Sequence, residues 1–528
     1  MPYNGGKHQY KSFSLLVCKM VTIVTVDDFL RKGYFLKELP PLFSTSNFAN
    51  IAATWELSSF NTNDHASLVR YSHSKFASTR RQLSIPNPYQ FHQLSTVLSQ
   101  HWNEMHTQIW SASPYSLSVP IPSSSRAVQG TLNLRDLPLE RARVRAAGRY
   151  IFRTDIASFY PSIYTHSIPW AIHGKAVAKA NYGNTLWGNI ADTWSRNMQD
   201  RQTIGLPIGP DTSFVLAETI LCAVDKLLNE KLEPLAADIL GFRFIDDFEF
   251  VCASQPQAEE VLAHLQEVLS QFELNLNAQK TSIYELPQAL DTPWIDELEN
   301  FSLDTNSRLT RYFTRAFELA RIHPGEPVLK YAVSRLDGLE VHQYSDQLFQ
   351  HLLLQVSVAD PGTLQFTLRQ LYLLHNENAN NTDTISLSRA LNLLIQRHSP
   401  LGHGSEVAWC IWATVVFGVT LSSASSQAIA KMEDNIVALT AMFCEQHNVF
   451  SESLDKTVWQ SIVHNNSSTK EHWLLIYEAV AKGWLNAPHS GDLNDAPQYI
   501  KNLRDANVEF IDLNTTQDIP NHQSSVNY

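Results

Sequence analysis

Two adjacent carboxylates, Asp246 and Asp247, lie in the aromatic-rich segment GFRFIDDFEF, residues 241–250. After them Phe248 and Phe250 alternate with a polar residue, a pattern that predicts a returning strand and therefore a β-hairpin with acids at its turn. Carboxylates at such a tip can bind divalent cations. Because Asp is also a common turn residue, a purely structural turn is the alternative.

A third carboxylate, Asp155, follows a predicted buried strand in the segment YIFRTDIASFYPSIY, residues 150–164. Acids brought together from separate strands can hold two divalent cations about 3.5 to 4 Å apart, which activate an attacking hydroxyl and neutralise a leaving pyrophosphate. Asp155 and Asp246 fit that requirement. The alternative is a strand-end cap followed by an ordinary aromatic core cluster.

Another Asp-Asp pair, Asp27 and Asp28, ends the apolar run VTIVTVDDFL. The following residues, 29–32, favour a helix over a returning strand, and an Asp at a helix start is usually a cap. We therefore predict a helix start here and no catalytic role.

Two further segments lie in the same part of the chain. Residues 202–218 read QTIGLPIGPDTSFVLAE and predict a stiff loop before a helix that begins near Asp211 or Thr212. The backbone of this loop could lie against a base pair or a phosphate, because glycine permits close approach and a helix N-terminus favours anions. The loop residues concerned are Gly205, Pro207, Gly209 and Pro210. In LNLNAQKT, residues 274–281, Lys280 follows a predicted helix and could reach a triphosphate or protonate pyrophosphate.

Taken in order, TDIASFY, GLPIGPDTS, FIDDF and LNLNAQKT resemble motifs A, B, C and D of reverse transcriptases. FIDDF, GLPIGP and the IYTH that follows motif A are most similar to the bacterial abortive-infection (Abi-like) and related defence-associated reverse transcriptases. The strings KGYFLKELPPLFST and RRQLSIPNPYQ also resemble the fingers region of that branch. The resemblance covers residues 30–290, and beyond residue 300 it extends only to a helical tail of similar size.

This resemblance implies a catalytic set and a cofactor. Asp155, Asp246 and Asp247 would bind two Mg²⁺ ions, with Mn²⁺ as a substitute, and Ile156 would lend its backbone carbonyl. Asp247 would be the weaker third carboxylate, and Lys280 would assist the triphosphate.

The resemblance also implies a nucleotide site. Tyr160 would be the steric gate that favours dNTPs over NTPs, because a bulky ring beneath the sugar leaves no room for a 2′-hydroxyl. For Tyr160 and its neighbour Phe159 the alternative is simple core packing. Other residues of the predicted site are Gly205, Pro207 and Gly209, with Arg80 and Arg81 as fingers candidates for binding the triphosphate.

Composition indicates a large folded enzyme. With 528 residues, 44% hydrophobic and 17% charged, the chain can bury two or three cores in two to four domains.

Its five cysteines form no Cys-x-x-Cys pair, which argues against a zinc site and a disulfide framework and favours a reducing cytoplasm. The longest apolar stretch, residues 409–421, is too short to span a bilayer, and no signal-peptide cleavage region is recognisable, so no membrane association is expected. Met1 and Met20 both remain candidate starts.

The net charge of −12 is unexpected for a protein that binds nucleic acid. Residues 126–153, however, contain seven arginines against two acids, and this patch could hold a template, a product strand or a structured RNA. The alternative is a solvated helix face, because three of the arginines recur at four-residue spacing. The candidate nucleic-acid contacts are Arg126, Arg141, Arg143, Arg145 and Arg149.

The sequence predicts an α+β fold, with a reverse-transcriptase fingers-palm followed by an all-α, HEAT-like C-terminal domain. The predicted divisions are a fingers region (1–145), a palm (146–295), a helical domain (296–513) and a polar, mobile tail (514–528). Apolar residues at helical spacing predict helices at 346–357, 363–375, 385–398, 406–417, 428–447 and 472–484. A plain helical bundle is the alternative to a solenoid.

Four tryptophans of this helical region, Trp409, Trp412, Trp473 and Trp484, could stack on bases, although their spacing favours core packing.

The predicted function is an RNA-directed or template-independent DNA polymerase that acts in anti-phage defence in the bacterial cytoplasm. The resemblance implies dNTP substrates, a DNA product, assembly into homo-oligomers and, in some members, a noncoding RNA partner. Priming by a protein tyrosine stays open, with Tyr34, Tyr477 and Tyr499 among the candidates. The alternatives are a palm-fold terminal transferase or RNA polymerase, and an inactive palm that serves as an RNA- or protein-binding scaffold.

Overall fold

The computed structural model describes residues 23–52, 55, 63–76, 79–235, 239–339, 345–377, 382–487 and 497–513. The question of the start at Met1 or Met20 and the predicted polar tail at 514–528 lie outside the described residues. The α+β fold class is confirmed, since small antiparallel sheets and helices in the first part of the chain are followed by a helical C-terminal region.

The elements before the central sheet are short. They are α1 Val26–Asp28, α2 Ser46–Ala52, β1 Val69–Phe76, β2 Thr79–Ile85, α3 Pro88–Gln100, α4 Trp102–Glu104, β3 Pro120–Pro122, β4 Val128–Gly130 and α5 Leu137–Arg145. Strands β1 and β2 form one antiparallel hairpin, and β3 and β4 form another. The helix start predicted at Asp27 and Asp28 is confirmed, although the capping residue is Thr25, whose side chain and that of Asp28 bond reciprocally in a capping box.

The central region contains β5 Tyr150–Asp155, α6 Phe159–Ser162, α7 Ser167–His173, α8 Lys175–Ala180, α9 Trp187–Asn197, α10 Asp211–Leu232, β6 Leu240–Phe244, β7 Asp247–Cys252, α11 Gln255–Gln271 and β8 Ser282–Glu285. Four strands form one sheet in the order β6-β7-β5-β8, with every neighbouring pair antiparallel. The sheet contains the hairpin and the strand ending at Asp155 that the sequence patterns predict.

Residue alternation assigns the two faces of this sheet. Phe152 and Phe250 belong to the main hydrophobic core, on the side covered by α11. Ile151 and Val251 point the other way, into a smaller core that α5 closes with Val144. Because side chains alternate along a strand, Asp155 and Asp247 lie on the same face as this smaller core.

The regular elements among the described residues of the C-terminal region are helices, joined by loops. They comprise α12 Pro293–Glu299, α13 Asn306–Ile322, α14 Val328–Ser334, α15 Asp346–Ala359, α16 Leu364–Glu377, α17 Thr384–His398, α18 Gly404–Phe417, α19 Ser423–Ile429, α20 Asn435–Glu445, α21 Thr457–Asn465, α22 Trp473–Ala481 and α23 Gln498–Asp505. Helix α16 packs on α18, α18 on α20 and α20 on α22, so alternate helices stack in a row as in an irregular solenoid.

The helix predicted at 428–447 is two elements. Helix α19 ends at Ile429, and the carboxylate of Asp434 accepts hydrogen bonds from the backbone N–H groups of Ile436 and Val437, which starts α20 anew. A side-chain cap inside a continuous apolar pattern thus divides the predicted helix.

The helical region packs directly on the β1–β2 hairpin. Helix α18 lies against β1, and the indole N–H of Trp409 donates to the carbonyl of Glu38 at 2.8 Å. Trp409, Trp412 and Trp473 are buried and Trp484 is half-buried against the same core, so the core-packing interpretation of the four tryptophans is confirmed. The domain boundaries stay a prediction, because one hydrophobic core runs from the N-terminal helices into the C-terminal ones.

None of the described helices combines the length and the apolar character that a bilayer crossing requires.

Candidate active site

Three carboxylates converge at one end of the central sheet. Strand β5 ends at Asp155, which lies opposite Asp247, the first residue of β7. Asp246 precedes it in the turn between β6 and β7. The hairpin predicted from the sequence is therefore present, and its tip meets the end of β5.

The turn that carries Asp246 has only two residues, because Phe244 pairs with Asp247. Its first residue, Ile245, has φ +54°, a left-handed conformation that is costly for a β-branched side chain. Two hydrogen bonds hold it. The Ile245 N–H donates to Ser118 Oγ at 2.9 Å, and the Ile245 carbonyl accepts from Arg243 Nη1 at 2.8 Å.

Behind the turn, Arg243 forms a buried ionic network. Its guanidinium is 0% exposed and donates to Glu218 and Asp225 of α10, each at 2.7 Å. Ser113 Oγ donates to Asp225 at 2.6 Å, and Ser118 Oγ to Glu218 at 3.2 Å. Although burial opposes charge, the two carboxylates hold the pKa of Arg243 above its usual range. This network fixes the hairpin to α10.

Sequence reasoning missed this network, although a signal for it exists. Glu218 and Asp225 are seven residues apart in the sequence, so two helical turns bring them onto the same face of α10. A basic residue between two buried aromatic residues on the adjacent strand is their natural partner.

Lys280 reaches the carboxylates from the segment after α11, which is attached to the end of β5. Asn277 N–H donates to the Asp155 carbonyl and Ala157 N–H to the Asn275 carbonyl, both at 2.9 Å. These bonds bring Lys280 Nζ to 2.5 Å from Asp155 Oδ2. Although burial opposes charge on the ammonium, the hydrogen bond to Asp155 raises the pKa of Lys280.

The carboxylate cluster fits a hard divalent cation. Asp155 Oδ1 is buried and has no hydrogen-bond partner among the residues that the structure describes. Burial and the neighbouring charge of Asp247 raise the pKa of Asp246 to about 6, and burial and Asp155 raise that of Asp247, although its side chain still meets solvent. Clustered oxygen donors of this kind suit Mg²⁺ or Mn²⁺. A ligand role for Ile156, which is buried next to Asp155, stays a prediction.

The two aromatic residues predicted for the nucleotide site, Phe159 and Tyr160, have different environments in the structure. Phe159 is 4% exposed and lies in the main core, so the core-packing interpretation holds for it and the predicted nucleotide contact needs correction. Tyr160 is half-buried, and burial, together with the charge of Asp246, raises the pKa of its hydroxyl. Its role as a steric gate stays a prediction.

The loop before α10 packs closely on other parts of the chain. Leu206 N–H donates to the Tyr160 carbonyl at 2.9 Å, and Ser84 N–H of β2 donates to the Ile208 carbonyl at 3.0 Å. Gly209 has φ +126°, and a Cβ on it would lie 2.0 Å from Leu36 Cδ2. Close approach of the backbone is thus confirmed, but its partner at Gly209 is this chain's own side chain.

Other predicted members of this loop are placed as follows. Gly205 has φ +92° and faces Pro161, Pro207 lines a cavity of about 960 Å³ between β1, β2 and the helical region, and α10 begins at Asp211 as expected. Contact of these residues with a nucleotide stays a prediction.

One of the two arginines predicted to bind the triphosphate, Arg80, forms an ion pair inside the protein. Arg80 forms an ion pair with Glu406 of α18, its Nη2 donating to Oε2 at 2.9 Å. Arg81 is exposed on β2 and lies within electrostatic reach of Lys75, whose pKa is lowered by burial and then by the charges of Arg81 and Lys280. The charges of Asp246 and Asp155 act on the pKa of Lys75 in the opposite direction and raise it. Lys75, which sequence reasoning missed, is therefore a further candidate cation near the carboxylates.

Most of the arginine-rich segment serves the fold. Glu249 of β7, 2% exposed, pairs with Arg145 at 2.7 Å and with Arg141 and Arg153 at 3.4 Å. The pairs with Arg141 and Arg145 fasten α5 to the sheet, whereas Arg153 lies on the neighbouring strand β5. Arg126 pairs with Asp211.

The prediction of a free basic patch is corrected accordingly. Arg126 and Arg145 cannot contact a phosphate without leaving ion pairs with largely buried carboxylates, and Arg141 is only 15% exposed. Arg143 and Arg149 have side chains 51% and 71% exposed, so contact with nucleic acid stays a prediction for these two.

The three candidate priming tyrosines are all buried. Tyr34 donates its hydroxyl to the Pro86 carbonyl at 2.6 Å and Tyr477 to the Val508 carbonyl at 2.8 Å, and Tyr499 is 1% exposed. None of the three presents its hydroxyl to the carboxylates in this fold.

Comparison with known proteins gives distant structural likenesses. No protein-family model and no curated protein matches the chain. The apo telomerase of Candida tropicalis is 12% identical over 71% of this chain and 76% of its own, with a TM-score of 0.34. The telomerase of Candida albicans with a TWJ fragment of telomeric RNA is 11% identical over 72% and 66%, with a TM-score of 0.28. The Candida tropicalis enzyme with its TWJ fragment is 11% identical over 75% and 68%, with a TM-score of 0.32. Likenesses this distant assign no family and no activity.

Proposed function

We propose that this chain is a polymerase-type nucleotidyltransferase, an RNA-directed or template-independent DNA polymerase that adds dNTPs to a growing strand. The observation that carries the proposal is the convergence of Asp155, Asp246 and Asp247 at one sheet end, with a buried oxygen of Asp155 that lacks a protein partner. Three carboxylates held together repel one another. The ion pair of Lys280 with Asp155 offsets part of this repulsion, and a bound divalent cation would offset more of it. The motif resemblance supports the same conclusion.

Asp155, Asp246 and Asp247 are the residues that would hold Mg²⁺, with Mn²⁺ as a substitute. When bound, a pair of such ions activates the attacking hydroxyl and neutralises the leaving pyrophosphate.

The chain's own cations complete the site. Lys280 holds a proton on Nζ and, once released from Asp155, can carry it to the triphosphate or to the pyrophosphate that leaves. Arg81 and Lys75 approach from the fingers and orient the phosphates. Tyr160, tied through its carbonyl to Leu206, excludes a 2′-hydroxyl below the sugar.

The test is incubation of the purified chain with Mg²⁺ and each labelled dNTP, with and without primer and RNA template. Products are separated on denaturing gels before and after protease and RNase treatment. We expect incorporation by the wild type and its loss in Asp246→Ala, because the substitution removes a carboxylate that would hold the metal ions. Asp27→Ala is the matched control, because it alters the other Asp-Asp pair, outside the site. Equal incorporation by wild type and Asp246→Ala would refute the proposal.

The same experiment separates the alternatives. Incorporation of NTPs as readily as dNTPs indicates an RNA polymerase or a terminal transferase. A label that stays with the polypeptide until protease treatment indicates protein priming. Absence of product with every nucleotide and primer favours an inactive palm that serves as a scaffold.

The motif resemblance also supports four further parts of the proposal. These are a role in defence, a noncoding RNA partner, assembly into homo-oligomers and a place in the bacterial cytoplasm. Phage infection of cells that carry the wild type or Asp246→Ala tests the defence role. We expect protection to disappear with the substitution, whereas a scaffold would still protect.

A further inference from the structure

Three metal-ligating side chains meet at the turn between α17 and α18, away from the catalytic carboxylates. His398 ends α17, His403 precedes α18 and Glu406 lies in its first turn. The two Nδ1 atoms are 2.8 Å apart, and Glu406 Oε1 lies 3.9 Å from that of His398 and 3.7 Å from that of His403. Ligands of a tetrahedral Zn²⁺ at about 2.0 to 2.1 Å are separated by roughly 3.3 Å, so these edges bracket the required triangle.

Neither imidazole is fully open to solvent. His398 is 6% exposed, and His403 remains 22% exposed in its side chain, which leaves a path for an ion. Without a metal, the facing nitrogens must share one proton between two lone pairs.

The remaining oxygen of Glu406 is held by other residues. Oε2 accepts from Ser405 Oγ at 2.7 Å and from Arg80 Nη2 at 2.9 Å, which aims Oε1 at the histidines. Outer hydrogen bonds of this kind orient metal ligands. The contact of Arg80 Nη1 with Oε1 competes with an ion and must open when one binds, while Nη2 can stay on Oε2.

We propose that His398 Nδ1, His403 Nδ1 and Glu406 Oε1 form a binding site for Zn²⁺ or a similar transition-metal ion, with water as the fourth ligand. Two imidazoles and one carboxylate are a donor set that zinc uses and Mg²⁺ does not. The absence of Cys-x-x-Cys pairs argues only against zinc sites built from cysteine. It does not argue against a site built from histidine and glutamate. Through Arg80 the ion would fasten the helical region to β2 of the fingers.

Calorimetric titration of the metal-free full chain with Zn²⁺, in excess Mg²⁺ to fill oxygen-only sites, tests the proposal. We expect one tight site per chain in the wild type and binding at least 100-fold weaker in His403→Ala. His323→Ala is the matched control, because His323 and Glu326 are also three residues apart, at 3.8 Å, in a pair to which the structure assigns no further ligand among its described residues. We expect its binding to be unchanged.

Substitution of Co²⁺ gives a second readout that does not depend on any variant folding. Tetrahedral coordination by nitrogen and oxygen should produce intense visible absorption in the wild type, and zinc should abolish it. Wild-type protein without stoichiometric zinc, octahedral-type weak absorption with Co²⁺, or undiminished zinc affinity in a folded His403→Ala would each overturn the proposal.

Discussion

Replacement of Arg243 by methionine should destabilise both the protein and the turn that carries Asp246. Arg243→Met keeps most of the side-chain volume but leaves Glu218 and Asp225 as buried charges without their cation, and the Ile245 carbonyl without its donor. Breaking a buried ion pair by removal of one partner costs about 3 to 5 kcal/mol.

The expected shift in melting temperature follows from the chain length. With about 2.1 cal/mol/K of unfolding entropy per residue, 528 residues give an entropy of about 1.1 kcal/mol/K. A loss of about 4 kcal/mol therefore lowers Tm by about 4 °C if the chain unfolds as one unit, and by more if the palm unfolds separately. Scanning calorimetry at pH 8 measures this shift.

Two further variants make the result specific. Arg143→Met removes an exposed arginine that pairs with Glu140, and it should cost less than about 1 kcal/mol. The triple variant Glu218→Gln, Asp225→Asn, Arg243→Met removes the uncompensated charges, so it should recover much of the loss. An Arg243→Met protein as stable as Arg143→Met, or a triple variant less stable than the single one, would refute the reasoning.

Three further outcomes are expected. Tyr160→Ala should raise incorporation of NTPs relative to dNTPs by at least about tenfold in single-nucleotide extension assays, because it removes the ring that excludes the 2′-hydroxyl; an unchanged ratio would exclude the steric gate. Gly209→Ala should lower Tm by about 2 °C or more, from the clash with Leu36 and the φ of +126°, whereas Gly174→Ala, also at positive φ but in open space, should cost less. Burial raises the pKa of Glu478 to about 7 from 4.5. The folded state therefore holds this proton more tightly than the unfolded state, and stability should fall by about 3 kcal/mol as pH rises from 4.5 through 7. Glu478→Gln should flatten that part of the pH profile of Tm, and an equally steep profile in the variant would contradict the assignment.

The sequence was informative wherever local pattern decides structure. Alternation along residues 241–250 predicts the hairpin, and the end of an apolar run at Asp155 predicts a carboxylate at the strand end. Both are correct because strand alternation and turn chemistry act between near neighbours. The loop before α10 and its start at Asp211 were predictable for the same reason.

Charges were misjudged because their partners lie far away in the chain. The sequence around Arg80 gives no sign of an acidic partner, because that partner, Glu406, is 326 residues further along the chain. Arg145 recurs at helical spacing like a solvated residue, but Glu249 draws it into the protein. A count of charges shows neither pairing, and only the packing of elements determines which cations remain available to a substrate.

The two ends of the described chain are joined in space. Phe43 forms a β-bridge with Ile511, and Phe510 packs against Tyr34. The last helices are therefore part of the frame that the fingers rest on. A shortened chain that stops near residue 295 would expose this aromatic cluster and lose the packing of α18 on β1, so we expect it to be less stable than the full chain. The predicted domain divisions are therefore not positions at which we expect the chain to be truncated without loss of stability.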